Sequence, residues 1–234
     1  FGLTTDIQES LDSQHGIVIN HHILPKGQYL KGPTKKEWLF LHHTAGWHNP
    51  YRTIDHWGRD SRGRIATEFV LGGPSIFNDD SQYDGEIVKC IPDGGYAWHL
   101  GRNGFQEMHT NSVGIEVCNF GYLKDGKTYA GHTVHPDHCV ELAKEFKGYK
   151  NWHRYSDVQI ESLRKLILFI ADRDNIDVRE GLPALIKEKG ADAFEWNEKA
   201  YYGHVRGLLS HSNTNKGKSD MFPQEELLTM LTEL

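Results

Sequence analysis

Apolar and polar positions along this chain divide it into short blocks whose periods predict alternating strands and helices. The run Trp38-Leu39-Phe40-Leu41 has strand length and ends in His42 and His43, followed by the small-residue turn Thr44-Ala45-Gly46. Successive strand side chains point to opposite faces. Trp38, Phe40 and His42 therefore share one face and Leu39, Leu41 and His43 the other, so the two histidines cannot serve one site. Residues 50–57 predict a helix with Pro50 in its first turn. Strands are predicted over 65–71, closed by Gly72-Gly73-Pro74, over 86–91, and over 111–117, where Glu116 interrupts an apolar run. Asp125-Gly126 between polar and aromatic flanks marks a hairpin turn. The clearest helix spans 156–175: Ser156 is a natural N-cap, and Leu163, Leu166, Ile167 and Ile170 fall at helical spacing. Further helices are predicted around Leu182 to Lys189 and from Pro223-Gln224-Glu225-Glu226 onward, where Leu227, Leu228 and Leu231 give an apolar side. Residues 6–13 fit a short helix. His21 and His22 precede a turn marked by Pro25 and Gly27 and are expected at the surface.

Bulk properties narrow the class. At 234 residues with 38% hydrophobic and 11% aromatic content, the chain reads as a globular protein. No internal repeat, low-complexity tract or linker divides it, so one domain is expected. No apolar run approaches the roughly 20 residues of a membrane span. A net charge of −6 argues against a broad nucleic-acid footprint, which would be basic. Cys90, Cys118 and Cys139 form neither a disulfide framework nor a CxxC metal motif, and read as small hydrophobes. The chain begins at Phe1, which fits removal of a start, signal or tag segment.

Candidate chemistry clusters in four places. The strand-end histidines are either a ligand held by a rigid strand or partly exposed polar residues. His99, in Tyr96-Ala97-Trp98-His99-Leu100-Gly101, either lines a cleft or packs as a hydrogen-bonded histidine. Glu116, in Asn111-Ser112-Val113-Gly114-Ile115-Glu116-Val117, is either a buried carboxylate with a raised pKa suited to proton transfer or an outward, ion-paired one. The late loop holds His211 and Asp220, both metal-competent, with Lys218 two residues before the acid. His135 and His138 flank Pro136 and lack neighbouring ligands, which favours a loop. The commonest zinc-peptidase signature, HExxH, is absent.

In this order and over roughly residues 35–234, His42-His43-Thr44-Ala45-Gly46, Ala97-Trp98-His99-Leu100-Gly101, the Asn111–Val117 stretch and the His211…Lys218-x-Asp220 loop resemble the type 2 N-acetylmuramoyl-L-alanine amidases. These are zinc enzymes of phage endolysins and bacterial autolysins that share a fold with peptidoglycan recognition proteins. The closing loop departs from the family pattern: His211-Ser212-Asn213 and Asp220-Met221-Phe222-Pro223 replace a His-Arg-Asp start and an acid or Cys before Pro-Gly. The resemblance implies an α/β fold with a mixed central β-sheet flanked by helices. It implies an N-terminal extension over 1–34 and an amidase domain over 35–234, with an insertion near 176–205. It implies zinc (Zn2+) held by His42, His211 and Asp220, with a fourth position open for water, as in catalytic sites. Glu116 takes the general-base position, since the family's alternative tyrosine position falls near Thr67. Lys218 takes the oxyanion-stabilising position, and His43, Trp47 and His99 are expected along the cleft. The implied partner is peptidoglycan, through its glycan strand and stem peptide. The implied place of action is the bacterial cell wall, by a phage endolysin or a secreted autolysin. The rival reading is a non-catalytic module that only binds muropeptide.

Overall fold

In the computed structural model, which describes residues 14–32 and 35–234, the run Trp38–His43 forms β3 with all six residues buried. It joins a six-stranded sheet with β1 (Ile19–His21), β4 (Phe69–Leu71), β5 (Ile87–Lys89), β7 (Ser112–Val117) and β10 (Gly207–Ser210), in the order β1-β5-β4-β7-β3-β10. β4, β7, β3 and β10 run parallel, while β4 and β5 are antiparallel. A separate two-stranded pair joins β2 (Leu30–Lys31) to β6 (Gly95–Tyr96). The fold is thus α/β with a mixed central sheet flanked by helices. β1 and β2 fall within the stretch expected as an N-terminal extension, yet β1 is the edge strand of the main sheet. The helix expected over 6–13 lies outside the described residues.

Alternation sorts the sheet's side chains into two layers. Leu39 and Leu41 of β3, Val113, Ile115 and Val117 of β7, and Phe69 and Leu71 of β4 enter the larger core. That core is covered by α3 (Asp157–Asp174), α4 (Leu182–Lys189) and α7 (Glu225–Thr232). Trp38 and Phe40 point the other way, to Leu100, Met108 of α2 (Glu107–Thr110) and Leu209. Val70 and Val88 likewise meet Ile54 of α1 (Pro50–Gly58) on that opposite side. The second layer is thinner, and it leaves the C-terminal ends of β3 and β7 open to a cavity.

Helix α3 begins as the sequence predicts. Ser156 accepts from the Gln159 backbone N–H at 3.0 Å, and Gln159 Oε1 accepts from the Ser156 N–H at 3.1 Å, a reciprocal capping box. Asn175 ends it in the left-handed conformation, φ 53°. The Gln159 amide does more than cap. Its Nε2 donates to the carbonyls of Gly72 (3.2 Å) and Cys118 (2.9 Å), tying the helix to the ends of β4 and β7. At the other end, Arg173 meets buried Glu68 through two hydrogen bonds of 2.6 and 3.0 Å, and Lys89 adds a third at 3.0 Å.

Several elements differ from the pattern-based expectation. The strand predicted over 65–71 is regular only over Phe69–Leu71, with an isolated bridge from Ile65 to Trp98. A hairpin of β8 (Cys139–Phe146) and β9 (Tyr149–His153) follows a 3-10 turn at Pro136–His138. In its first strand Leu142 and Phe146 lie four apart with charged Lys144 between them, a spacing that a strand and a helix share, so the pattern does not distinguish the two. The segment 176–205 folds as α4, a 3-10 turn (Gly190–Phe194) and α5 (Glu198–Tyr201). Cys90 and Cys118 are buried and Cys139 half-buried, all as free thiols. No helix among the described residues is long and apolar enough to cross a membrane.

Gln159→Ala would orphan the Cys118 carbonyl and the Ser156 N–H and remove one of the two donors to the Gly72 carbonyl. It should destabilise the protein by roughly 2–4 kcal/mol, read as a lower urea midpoint at unchanged slope. An unmoved midpoint would show that these bonds do not anchor the helix.

Candidate active site

Parallel pairing places the chemical groups side by side. His42 of β3 is the register partner of Glu116 of β7, so their side chains leave the same face on strands roughly 4.8 Å apart. On the other flank Leu41 pairs with Ser210, the last residue of β10, so the next residues, His42 and His211, are neighbours. Ser210 and Asn213 then form a capping box that turns the chain into the short helix α6 (His211–Thr214). The loop after it returns Asp220 to the same point, where its backbone carbonyl accepts from the Ser212 N–H at 2.8 Å.

Three donor atoms converge there. His42 Nδ1 lies 3.0 Å from His211 Nδ1 and 3.3 Å from Asp220 Oδ2, and His211 Nδ1 lies 3.1 Å from Asp220 Oδ2. All three residues are buried, at 2%, 6% and 8% exposure. They are the one such His/Cys/Asp/Glu group among the described residues. Bonds of about 2.0–2.1 Å in a tetrahedron have edges of roughly 3.3 Å, so the spacing suits one ion of zinc's size. The far nitrogens hold the two rings in place. His211 Nε2 is 3.0 Å from the Leu100 carbonyl, which only an N–H can satisfy, so Nδ1 is the nitrogen turned toward Asp220 and available to a metal. His42 Nε2 is 2.9 Å from His99 Nδ1, and His99 Nε2 is 2.8 Å from Ser112 Oγ. A proton on His42 Nε2 makes His99 Nδ1 the acceptor and directs the His99 Nε2–H to Ser112. With both Nδ1 atoms unprotonated, as metal ligation requires, two lone pairs and a carboxylate oxygen within 3.3 Å of one another make a donor set for one cation. Burial, reinforced by His211, lowers the His42 pKa to about 4, keeping it neutral. Burial works to raise the Asp220 carboxyl, but the His211 and His42 side chains outweigh it and hold it well below the usual range.

The group opens into a cavity of about 410 Å³ whose wall includes Trp57, Arg62, Thr67, Trp98, Glu116 and Lys218. Burial, with Asp220 adding to it, pushes the Glu116 carboxyl well above its ordinary range, while Lys218 works in the opposite sense. Lys218 is exposed on the 215–219 loop at the rim. The Thr67 hydroxyl donates to the Phe69 carbonyl at 2.9 Å and holds no proton-transfer position.

The remaining sequence-derived candidates divide. His99 lines the cavity and is also fully hydrogen-bonded, so both readings of it hold at once. His43 borders the cavity, but its ring turns to the opposite layer, with Nδ1 2.8 Å from the Tyr155 hydroxyl and the ring beside Phe222. Trp47 does not line the cavity. Ala45 takes a left-handed φ of 53° and redirects the chain, leaving Trp47 packed against Phe120 and His132 on the outer surface. Sequence reading did not find Ser112 or the Leu100 carbonyl, the groups that orient the two imidazoles. The alternation Ser112-x-Gly114-x-Glu116 carries the signal. All three share the site face, and Gly114 leaves the room that His99 fills, since a Cβ there would lie 3.0 Å from His99 Nδ1 and 2.7 Å from Thr67 Cγ2.

Residues 32–220 match the family model described as N-acetylmuramoyl-L-alanine amidase, and the chain belongs to that family. Among solved structures it is similar to the N-acetylmuramyl-L-alanine amidase AmiD from E. coli in complex with anhydro-N-acetylmuramic acid-L-Ala-D-gamma-Glu-L-Lys. Identity is 19%, the TM-score 0.40, and coverage 63% of this chain and 47% of that one, so this chain spans about half of the E. coli protein's length. It is also similar to PlyL (11% identity, TM-score 0.49, 86% and 85% coverage) and to Drosophila PGRP-LB (13%, 0.44, 91% and 91%). No curated protein matches its sequence. Family membership rests on the match over 32–220.

The raised Glu116 pKa has a thermodynamic consequence. The folded state holds the proton more tightly than the unfolded chain, so this group's stabilising contribution is present at low pH and lost as pH rises toward the folded pKa. In metal-free protein, Glu116→Gln should therefore match the wild type in urea stability near pH 4 and exceed it increasingly through pH 8. A constant difference across that range would show that Glu116 titrates normally.

Proposed function

We propose that this protein is a zinc-dependent amidase that hydrolyses the bond between the lactyl carbonyl of N-acetylmuramic acid and the nitrogen of L-alanine in peptidoglycan, acting at the bacterial cell wall. The observation that carries this reading is the convergence of His42 Nδ1, His211 Nδ1 and Asp220 Oδ2 within 3.3 Å, on the face where Glu116 is the register partner of His42. Family membership supports the amidase class.

A zinc ion held by these three residues would supply Lewis acidity that lowers the pKa of water to about 7. The chain's own groups do the rest. Glu116, whose proton affinity burial raises well above that of an ordinary carboxylate, accepts a proton from the water that attacks the lactyl carbonyl carbon. It then delivers that proton to the alanine nitrogen as the C–N bond breaks, giving a lactyl carboxylate and a free stem-peptide amine. Lys218 at the rim places its ammonium where negative charge develops on the carbonyl oxygen. His99 keeps the proton on His42 Nε2, so that Nδ1 faces the site in one tautomer.

Digestion of purified peptidoglycan, read by mass spectrometry, tests the reaction. Intact glycan and free stem peptides with new L-alanine amino termini are expected, lost with a chelator and restored by zinc. Glu116→Gln should keep zinc and lose at least about a hundredfold in rate. Stem peptides cut internally would make the protein an endopeptidase, and tight muropeptide binding without products would make it a recognition module.

The imidazole relay has its own test. His99→Leu should weaken zinc affinity about 10- to 100-fold. His99→Asn, whose amide oxygen can accept from His42 Nε2–H, should recover most of it. Equal losses in both variants would reduce His99 to packing.

A further inference from the structure

Trp47 leaves an outer surface unexplained by the cavity chemistry. Three large side chains there are exposed: Trp47 at 37%, Phe77 at 48% and Tyr129 at 57%. They stand around His132, whose ring centroid is 4.7 Å from that of Trp47 and 6.5 Å from that of Phe77. Beneath them lies a small core of Ile76, Phe120, Leu123 and Val134, with Phe120 edge-on to Trp47 at 5.0 Å. The rings therefore rest on a packed base.

This surface is continuous with the catalytic cavity. The Tyr129 hydroxyl donates to the Ala45 carbonyl at 2.6 Å, and Ala45 lines the cavity. Trp47 follows Ala45 by two residues, a reach of at most roughly 7 Å. The platform comes from three stretches distant in sequence: the turn after β3, the loop at Phe77, and the irregular hairpin around Asp125-Gly126 that carries Tyr129 and His132. A polymeric substrate entering the cavity by one sugar must leave it across some neighbouring surface.

The chemistry of that surface suits a saccharide. Aromatic faces carry partial negative charge, and the C–H bonds of a pyranose ring, polarised by adjacent oxygens, carry partial positive charge, so the two stack. Tyr and Trp also keep a polar edge for hydroxyl groups. A stable protein partner would need on the order of 1,000 Å² of buried surface, far more than three rings and an imidazole offer.

We propose that Trp47, Phe77 and Tyr129 form a glycan platform, which holds N-acetylhexosamine units of the strand beyond the muramoyl sugar in the cavity. This rests on the amidase reading for its substrate, and its test is arranged to fail separately. The first measurement is binding of chitohexaose, a β-1,4-linked N-acetylglucosamine oligomer with no scissile amide, followed by isotope-edited NMR. Shift changes at Ala45, Trp47, Phe77, Tyr129 and His132 are expected, and Trp47→Ala or the more exposed Phe77→Ser should each weaken binding roughly three- to tenfold. Tyr129→Phe keeps the ring and should retain most of the affinity. The second measurement is the ratio of kcat/KM on glycan-linked substrate to that on a single muramoyl peptide, which should fall by a similar factor in Phe77→Ser. If the wild type cleaves neither substrate yet binds chitohexaose at these residues, the platform stands and the amidase reading fails. If it cleaves both but chitohexaose shifts none of these residues, or the ratio is unchanged, the platform is overturned.

Discussion

The site depends on one constraint, the parallel pairing of β3 with β7 and β10 at a fixed register. That pairing sets His42 opposite Glu116 and makes His211 the neighbour of His42 at the strand ends. A one-residue slip of β3 would exchange its faces, sending His42 into the helix-covered core and Leu41 into the cavity. The register is protected because both faces of β3 are apolar and fully buried. Packing that looks merely structural, Leu39 and Leu41 under α3 and Trp38 and Phe40 under Leu100, therefore fixes where the imidazoles stand.

On that frame the segment Ala97–Gly101 works as a strap. Two consecutive residues in it hold the two imidazoles: His99 takes the far nitrogen of His42, and the Leu100 carbonyl takes that of His211. The strap is itself held by the His109 ring at the Gly101 carbonyl, 3.0 Å away. Both near nitrogens are thereby turned toward the Asp220 carboxylate. Burial keeps His42 neutral and raises Glu116, so the site is uncomfortable for protein alone and suited to a cation. Such local conflict is what a site prepared for chemistry looks like energetically.

Much of this was legible in the sequence because it follows from period. Alternation over Trp38–His43 assigned His42 and His43 to opposite faces, and the structure shows them there. The 3.6-residue stripe and the Ser156 cap marked α3 to within a residue at each end. The fold class followed from family motifs that sit at strand ends and turns. What escaped had no unambiguous local period. The β8–β9 hairpin mixes apolar spacings of four with charges, and Ser112 orients His42 only through a residue distant in sequence. Trp47 was expected in the cleft because it follows the motif directly. The left-handed turn at Ala45, which carries it outward, leaves no trace in a hydrophobic pattern.

We propose that His42, His211 and Asp220 together hold one zinc ion. Zinc stoichiometry and X-ray absorption at the zinc edge of the purified protein test it most directly. One zinc per chain is expected, with two imidazole nitrogens and oxygen donors at about 2.0–2.1 Å, and loss of that spectrum in His211→Ala. A protein that takes up no zinc, or a spectrum with sulfur scattering or a single imidazole, would contradict it.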